Sequence, residues 1–479
     1  MYGAPKMKTS LRALSKNLLI NIKDLPDIEI SGISLNSSKT KPGDLFIAIP
    51  GSKADGHDFI SEAIDNGAKA VVTNGRNIDG LDIPQLKVNN PRKAASIIAS
   101  NFYQNPSKNM KVIGITGTNG KTTTAHLLNS LLGDSSIFVG TIDEDNLFEF
   151  TKEEHLTTPK LFNLVKMLSL VDRDVSNVVL EVSSHALDQK RLNGLYFKMS
   201  GFTNLSQDHL DYHNTMDEYF EAKTKLFNKK ISEKFAYIDS IYGEKLNQIY
   251  DSKGFSIGNT ENNNVQLNSY TNDSIDFDID GINVNSKLYL SGPEIIYNFL
   301  LAFSMAYYSK VKDINELKDQ IPLLKNPKGR YEVINYAKGD IIVDYSHTPE
   351  AIEKVIKYTK ERYKKDVIVV FGAGGNRDKS KRKFMGTASQ NAEKIIITND
   401  NPRKEDQLDI SKQILEGIDL KKNVEIILNR REAISKGVKL LDGKSTLLVL
   451  GKGHEKFQEI GDELYEFDDI EVVREEISI

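Results

Sequence analysis

The sequence predicts an α/β protein containing two doubly wound, mostly parallel sheets. Residues 111–116, KVIGIT, are apolar without alternation, as a strand buried on both faces must be. That run passes through small residues into TTTAHLLNSLL, which has helical spacing. Towards the C-terminus four more runs of the same kind, DIIVDYS, KDVIVVFGAG, KIIITND and STLLVLGKG, alternate with helical stretches.

Taken in order, residues 1–108 hold short strands, LFIAI and AKAVV, and a helical run, PRKAASIIASNFY, closed by the connector Asn105-Pro106-Ser107. Residues 109–328 form the second expected domain. SNVVLEVSSH and SGFTNLSQDH repeat its strand-then-loop pattern. DFDIDGINVNSKLYL alternates around Asp280-Gly281, a hairpin signal that predicts an antiparallel edge. A boundary near Asn326-Pro327-Lys328-Gly329 opens the third domain, residues 329–479, where Thr348-Pro349 reads as a helix cap followed by proline at the first helical position.

A chain of 479 residues suits about two to four domains. A net charge of −4 argues neither for a nucleic-acid surface nor for an anionic membrane, and no nucleic-acid partner is expected. Cysteine is absent, which removes disulfides, thiol nucleophiles and thiolate metal sites and fits the cytoplasm. Apolar runs are strand-sized, so no membrane insertion is expected. The first twenty residues lack the sustained apolar core of a leader.

The chemistry starts at GITGTNGKTT, residues 114–123. It ends as a phosphate loop does, but Ile115 stands where the regular GxxxxGK[ST] pattern has its first glycine. Gly117, Thr118, Asn119 and Gly120 would turn backbone N–H groups onto phosphate oxygens, with the following helix adding its positive end. Lys121 would reach the outer phosphates, and the Thr122 hydroxyl would ligate magnesium, with Thr123 behind it. Glu181 ends a buried strand and His209 follows another, so both are candidate ligands for a divalent cation; a buried Glu–His pair explains them equally well. His185, Asp211 and His213 read as loop caps. In DEYFEAKTKLF, Lys223 shares a helical stripe with Tyr219, Phe220, Leu226 and Phe227. Position alone favours a packed stem with its head in water. A desolvated amine would instead be neutral, nucleophilic and able to take up carbon dioxide as a carbamate.

Ten collinear stretches then resemble the Mur ligases: GITGTNGKTT, TTP at 157–159, EVSSHALDQKRL, NLSQDHLDYH, AKTKLF, GRYEVI, DYSHTPEAIEKV, FGAGGNRDKSKRKFMG, TNDNPRKED and GKGHEKFQ. The match runs in order from about residue 30 to 460 and looks like the branch that adds the third amino acid of the peptidoglycan stem. The resemblance implies three domains: a UDP-binding domain, a central P-loop ATPase-like parallel sheet and a C-terminal Rossmann-like domain. GTNGKT is that family's own phosphate loop. The resemblance implies ATP, two Mg²⁺ ions and a Lys223 carbamylated by CO₂, with Thr122, Glu181, His209 and Lys223 around the metal and Lys121, Lys223 and His209 catalytic. It gives Asn298, Arg330 and Asp344 to the nucleotide, although Asp344 also reads as a strand-end cap and His347 as a turn residue. Ser37, Thr157, Thr158, Ser184, Gln189 and Arg191 would hold a UDP-MurNAc-dipeptide.

Activity implied by the resemblance is amide ligation. The γ-phosphoryl of ATP goes to a carboxylate, and an amine attacks the resulting acyl phosphate; the protein positions the reactants and neutralises their charge. Asp400-Asn401-Pro402-Arg403 resembles the signature for meso-2,6-diaminopimelate, with Arg403 as a planar fork for the distal carboxylate. Arg377, Gly451 and Glu455 complete that set, Glu455 meeting the distal ammonium. L-lysine and meso-lanthionine are alternative amino acids, and a folylpolyglutamate synthase-like ligase is an alternative enzyme. A monomer acting on small molecules is expected. Two departures stand out. Asn36-Ser37-Ser38 replaces the usual Asp-Ser-Arg, and Ile295 replaces the first of two asparagines near the adenine, leaving Asn298.

Overall fold

The computed structural model describes residues 8–478 except 19, 52–53, 77, 79, 143–146, 148–155, 173, 252 and 420. The first seven residues, part of the stretch read as carrying no leader, lie outside that set. By contacts the chain divides into two units, residues 1–113 with 134–198, and residues 114–133 with 199–479. The strand Lys111–Thr116 runs from one into the other.

In the first unit four parallel strands lie in chain order: Gly32–Ser34, Asp44–Ile47, Ala70–Thr73 and Gln85–Lys87. Phe46, Val71, Ile60 and Ala63 close the core beneath them. The helix expected from PRKAASIIASNFY is present as Pro91–Phe102, capped by the Asn90 side chain with proline at its first turn. The same unit holds the parallel pair Ser136–Val139 and Asn177–Glu181, with the helices Leu161–Leu168 and Ser184–Asp188.

The second unit opens with the phosphate-loop helix Lys121–Leu132, against which the helix Ile295–Tyr308 packs. Strands Met199–Phe202, Phe235–Ile238, Phe255–Gly258 and Val265–Tyr270 pair in parallel. Ser274–Ile279 and Ile282–Lys287 then add the antiparallel edge, turning at Asp280-Gly281 as the alternation predicts.

The rest of the unit is the second doubly wound sheet. Its strand order is Glu332–Ile334, Ile341–Asp344, Ser445–Leu450, Asp366–Phe371, Lys394–Ile397 and Asn423–Ile426. All pairs are parallel except the first, an edge strand the sequence reading did not separate. Alternate residues face opposite ways, so Val367, Val369 and Phe371 pack on helices Pro349–Tyr363, Lys381–Ser389 and Gln407–Leu415. Ile368 and Val370 pack on Arg430–Lys439 and Asp469–Ile477. Burial of each such side chain contributes about 1.5–3 kcal/mol, which is why these strands tolerate no polar alternation. The loops at the carboxyl ends of this sheet carry Tyr345, Asp400–Arg403 and Gly451–Glu455.

Candidate functional site

The phosphate loop is shaped by its glycines. Gly120 has φ +82°, and a Cβ there would stand 2.4 Å from the Asn298 amide oxygen; one on Gly117 would stand 1.8 Å from the Thr203 hydroxyl. Backbone can approach this closely only without side chains, and the missing first glycine of the regular pattern is irrelevant because Ile115 is a strand residue. The Lys121 ammonium donates to the Gly117 and Thr118 carbonyls at 3.1 and 2.8 Å.

Lys223 follows the apolar-stripe reading and not the snorkelling one. It lies on the helix Met216–Thr224 and is 1% exposed. Its Nζ donates to the Gly117 carbonyl at 2.7 Å and sits 4.4 Å from the centre of the Tyr219 ring. Burial, and then the nearby Lys121 charge, push its pKa well below the ordinary lysine value.

His209 is held at φ +55°, an uncommon conformation for a non-glycine residue and a mark of local constraint. Its neighbour Asp208 is buried. Burial opposes its charge, yet the Lys381 ammonium at 3.2 Å, with His209 and His347 at 3.5 and 3.8 Å, holds the carboxyl well below its usual range. Burial and the Lys381 charge lower His347.

A cleft opens beside the loop, lined by Gly120, Asn298, Arg330, Asp344 and Tyr345 among others. The Arg330 guanidinium lies 4.2 Å from the centre of the Tyr345 ring, and its Nη2 donates to the Thr122 hydroxyl at 3.1 Å. Arg330 Nε is buried with no hydrogen-bond partner, an unmet donor at the cleft. Asp344 lines the cleft and also performs the capping role, accepting from the Ser346 and Tyr331 backbone N–H groups at 2.8 Å each.

At the sheet's carboxyl edge, loops far apart in sequence meet. Asn401 Nδ2 donates to Glu455 at 2.9 Å. The fully buried Lys452 donates to Asn401, Glu455 and the Phe457 carbonyl at 3.1, 3.0 and 2.6 Å. Arg403, at φ +52°, places Nε 2.7 Å from the Glu459 carboxylate and Nη1 2.9 Å from the Gly375 carbonyl. A Cβ on Gly374 would lie 3.2 Å from Arg403 Nη1 and 3.7 Å from Arg377 Cγ, so both arginines flank one glycine. Gly451 adjoins Asp400, whose Oδ2 leaves no room for a Cβ, and the Pro402 carbonyl abuts Gly375 in the same way.

In the first unit, Thr158 donates to the Glu181 carbonyl at 2.9 Å, and its own carbonyl accepts from Arg191 at 3.1 Å. Arg191 Nε also donates to Gln189 at 2.9 Å. Thr157 accepts from Thr141 at 3.3 Å, and Ser184 is buried at the start of its helix. The buried Glu181 carboxylate accepts from the Thr141 N–H and hydroxyl at 2.8 and 3.1 Å. Ser37 is in a different part of this unit, where its hydroxyl donates to Glu62 at 2.7 Å.

Among the described residues no group of three His, Asp or Glu side chains is placed to hold a metal ion. The candidate ligand types here, a hydroxyl, an imidazole and a buried amine, suit a hard cation only if Lys223 supplies oxygens, as a carbamate does. Sequence reasoning missed Lys381, Lys452, Glu459 and the role of Tyr345. Lys452, a lysine between two glycines after a buried strand, was the one visible signal.

Three family models match in order: Mur ligase family, catalytic domain, at residues 29–103; Mur ligase middle domain at 115–306; and Mur ligase, glutamate ligase domain, at 329–453. A UDP-N-acetylmuramoyl-L-alanyl-D-glutamate–2,6-diaminopimelate ligase of Clostridium botulinum is 38% identical over 462 residues, covering 93% of this chain and 95% of that one. Its namesake from Aquifex aeolicus is 39% identical, with 93% of each covered. A solved structure of a ligase of that name has a TM-score of 0.65 at 27% identity, covering 98% of this chain and 99% of that one. A Thermotoga maritima MurF ligase in complex with ADP shares the fold at TM-score 0.65 and 19% identity, covering 93% and 97%.

Proposed function

The chain belongs to the Mur ligase family, and from that premise we propose that it joins meso-2,6-diaminopimelate to UDP-N-acetylmuramoyl-L-alanyl-D-glutamate with ATP, in peptidoglycan precursor synthesis. The observation that carries the amino-acid choice is the meeting of the DNPR and GKGHE loops, where Asn401 bonds Glu455 at 2.9 Å beside Arg403. A guanidinium for one end and a carboxylate for the other match a substrate with a distal carboxylate and a distal ammonium. L-lysine has no distal carboxylate to offer Arg403.

Gly117 to Thr123 cradle the phosphates, Arg330 and Asn298 hold the nucleoside side of the cleft, and Asp344 faces the sugar. Thr122 and His209, with Lys223, would hold magnesium, and Glu181 of the first unit is the remaining candidate ligand. The Lys223 amine adds to carbon dioxide and loses a proton, and its burial supports this because only the neutral amine reacts. Magnesium, when bound, neutralises the polyphosphate so that a carboxylate can approach it. Lys121 supplies a further cation for the transferring phosphoryl group.

On the acceptor side, Ser37, Thr157, Thr158, Ser184, Gln189 and Arg191 hold the nucleotide-linked dipeptide and present its carboxylate. Arg377, Arg403, Asn401 and Glu455 orient the amino acid so that its free amine faces the activated carbonyl. The amide forms as phosphate leaves, and no enzyme nucleophile takes part. Domains at residues 1–108, 109–328 and 329–479 would divide these tasks, a division supported by the spans of the three family models. The same reading makes the protein a monomeric cytoplasmic enzyme acting on small molecules. Among the described residues no helix is long and apolar enough to cross a membrane.

The test is ADP release measured with each substrate omitted in turn. Release that requires both UDP-MurNAc-L-Ala-D-Glu and diaminopimelate is expected. Equal release with L-lysine or lanthionine overturns the amino-acid choice, and dependence on a folate overturns the whole reading.

A further inference from the structure

Tyr345 touches both halves of this machinery. It follows the strand Ile341–Asp344, whose Asp344 is in register with Leu450, so the tyrosine emerges beside the Gly451–Glu455 loop. Contact there is tight: a Cβ on Gly453 would lie 2.9 Å from the Tyr345 Cβ. The turn bearing Arg330 presses on the same loop, because a Cβ on Gly329 would lie 2.2 Å from the His454 nitrogen.

The two faces of the tyrosine have different partners. Its ring carries the Arg330 guanidinium at 4.2 Å, and Arg330 reaches on to Thr122 of the phosphate loop. Its hydroxyl lies 3.4 Å from Glu455 Oε1. Glu455 Oε2 is already taken by Asn401 and Lys452, so Oε1 is the oxygen left for an incoming ammonium. The Tyr345 hydroxyl, on a residue that lines the nucleotide cleft, is placed to share that ammonium from that side.

Resting on the ligase reading above, we propose that Tyr345 is a positioning residue with two separable functions. Its ring face sets Arg330 for the nucleotide. Its hydroxyl, with Glu455 Oε1, receives the distal ammonium of the diamino acid. One side chain thereby links the amino-acid pocket to the nucleotide cleft.

The functions separate by substitution. Tyr345→Phe keeps the ring and removes the hydroxyl, so the KM for diaminopimelate rises about three- to tenfold while the KM for ATP moves far less. Tyr345→Leu removes the ring as well, and the KM for ATP rises about three- to thirtyfold. In a Glu455→Gln background the phenylalanine change has little further effect, because the two groups serve one ammonium. An unchanged diaminopimelate KM in Tyr345→Phe overturns the proposal, as does an equal rise for both substrates or full additivity with Glu455→Gln. Calorimetric titration of a non-hydrolysable ATP analogue into wild type and Tyr345→Leu reads the Arg330 half without turnover, and equal affinities overturn it. A wild-type chain that binds the analogue but never ligates sinks the ligase reading instead, which keeps the two failures apart.

Discussion

Replacing Lys223 by methionine separates stability from chemistry. Lys223 is 1% exposed, and methionine fills nearly the same volume with a flexible stem, so no cavity opens. The change removes one hydrogen bond, to the Gly117 carbonyl at 2.7 Å, with a net loss of about 0.5–1.5 kcal/mol. That carbonyl is not orphaned, because Lys121 still donates to it at 3.1 Å. Against the loss stands the removal of a buried amine, which contributes about 1–3 kcal/mol in the other direction. The sum is near zero or slightly stabilising, and the unfolding midpoint should shift by no more than about 4 °C. Turnover should behave quite differently. Losing a charged group that acts on the transferring phosphoryl costs about 10²- to 10³-fold in kcat. Thermal unfolding followed by fluorescence, together with ADP release, measures both. Removing dissolved carbon dioxide should slow the wild type reversibly and leave the variant unaffected. A folded Lys223→Met protein that turns over within about threefold of wild type would refute the carbamate, and with it the reason for burying the amine.

Arg403→Ala should raise the KM for diaminopimelate about ten- to hundredfold and leave any activity with L-lysine nearly unchanged; steady-state kinetics with both amino acids checks it. The loss should be partly repaired by Glu459→Gln, since the alanine leaves the Glu459 carboxylate unpaired beside the substrate. Glu405 predicts acid sensitivity. Its hydrogen bonds with Arg382 lead the causes that lower its pKa from 4.5 to about 2. A lowered carboxyl stabilises the fold above its unfolded pKa, and that stabilisation is lost as pH falls from about 4.5 to about 2. Discounted for nearby solvent, the contribution is about 1–2 kcal/mol, and Glu405→Gln should flatten chemical-denaturation stability over that window. Asp469→Asn should cost about 3–5 kcal/mol by leaving the fully buried Arg430 uncompensated. Arg430 also donates to the Asn399 and Leu450 carbonyls at 3.2 and 3.0 Å, just before the two amino-acid loops. Diaminopimelate KM should therefore rise more than ATP KM in that variant, measured at a temperature where it stays folded.

The sequence by itself determined what is local. Unalternated runs such as KVIGIT and STLLVL read as strands covered on both faces, and they became Lys111–Thr116 and Ser445–Leu450. Asp280-Gly281 named its own turn, and the glycines at 117 and 120 named a loop where backbone must come close. The helical stripe even put Lys223 on an apolar face. That stripe could not decide between a snorkelling head and a buried one, because the deciding contact, with Gly117, lies 106 residues away.

Tertiary structure alone decided which groups share a charge. Lys381 meets Asp208 across 173 positions, and Tyr345 meets Glu455 across 110. Neither spacing leaves a periodic trace in the chain. Such pairings depend on strand order, here Ile341–Asp344 lying beside Ser445–Leu450, which carries distant loops to one edge of a sheet. Hydrophobic period is a property of neighbours along the backbone. Electrostatic partnership is a property of distance in space, and only the folded chain fixes that.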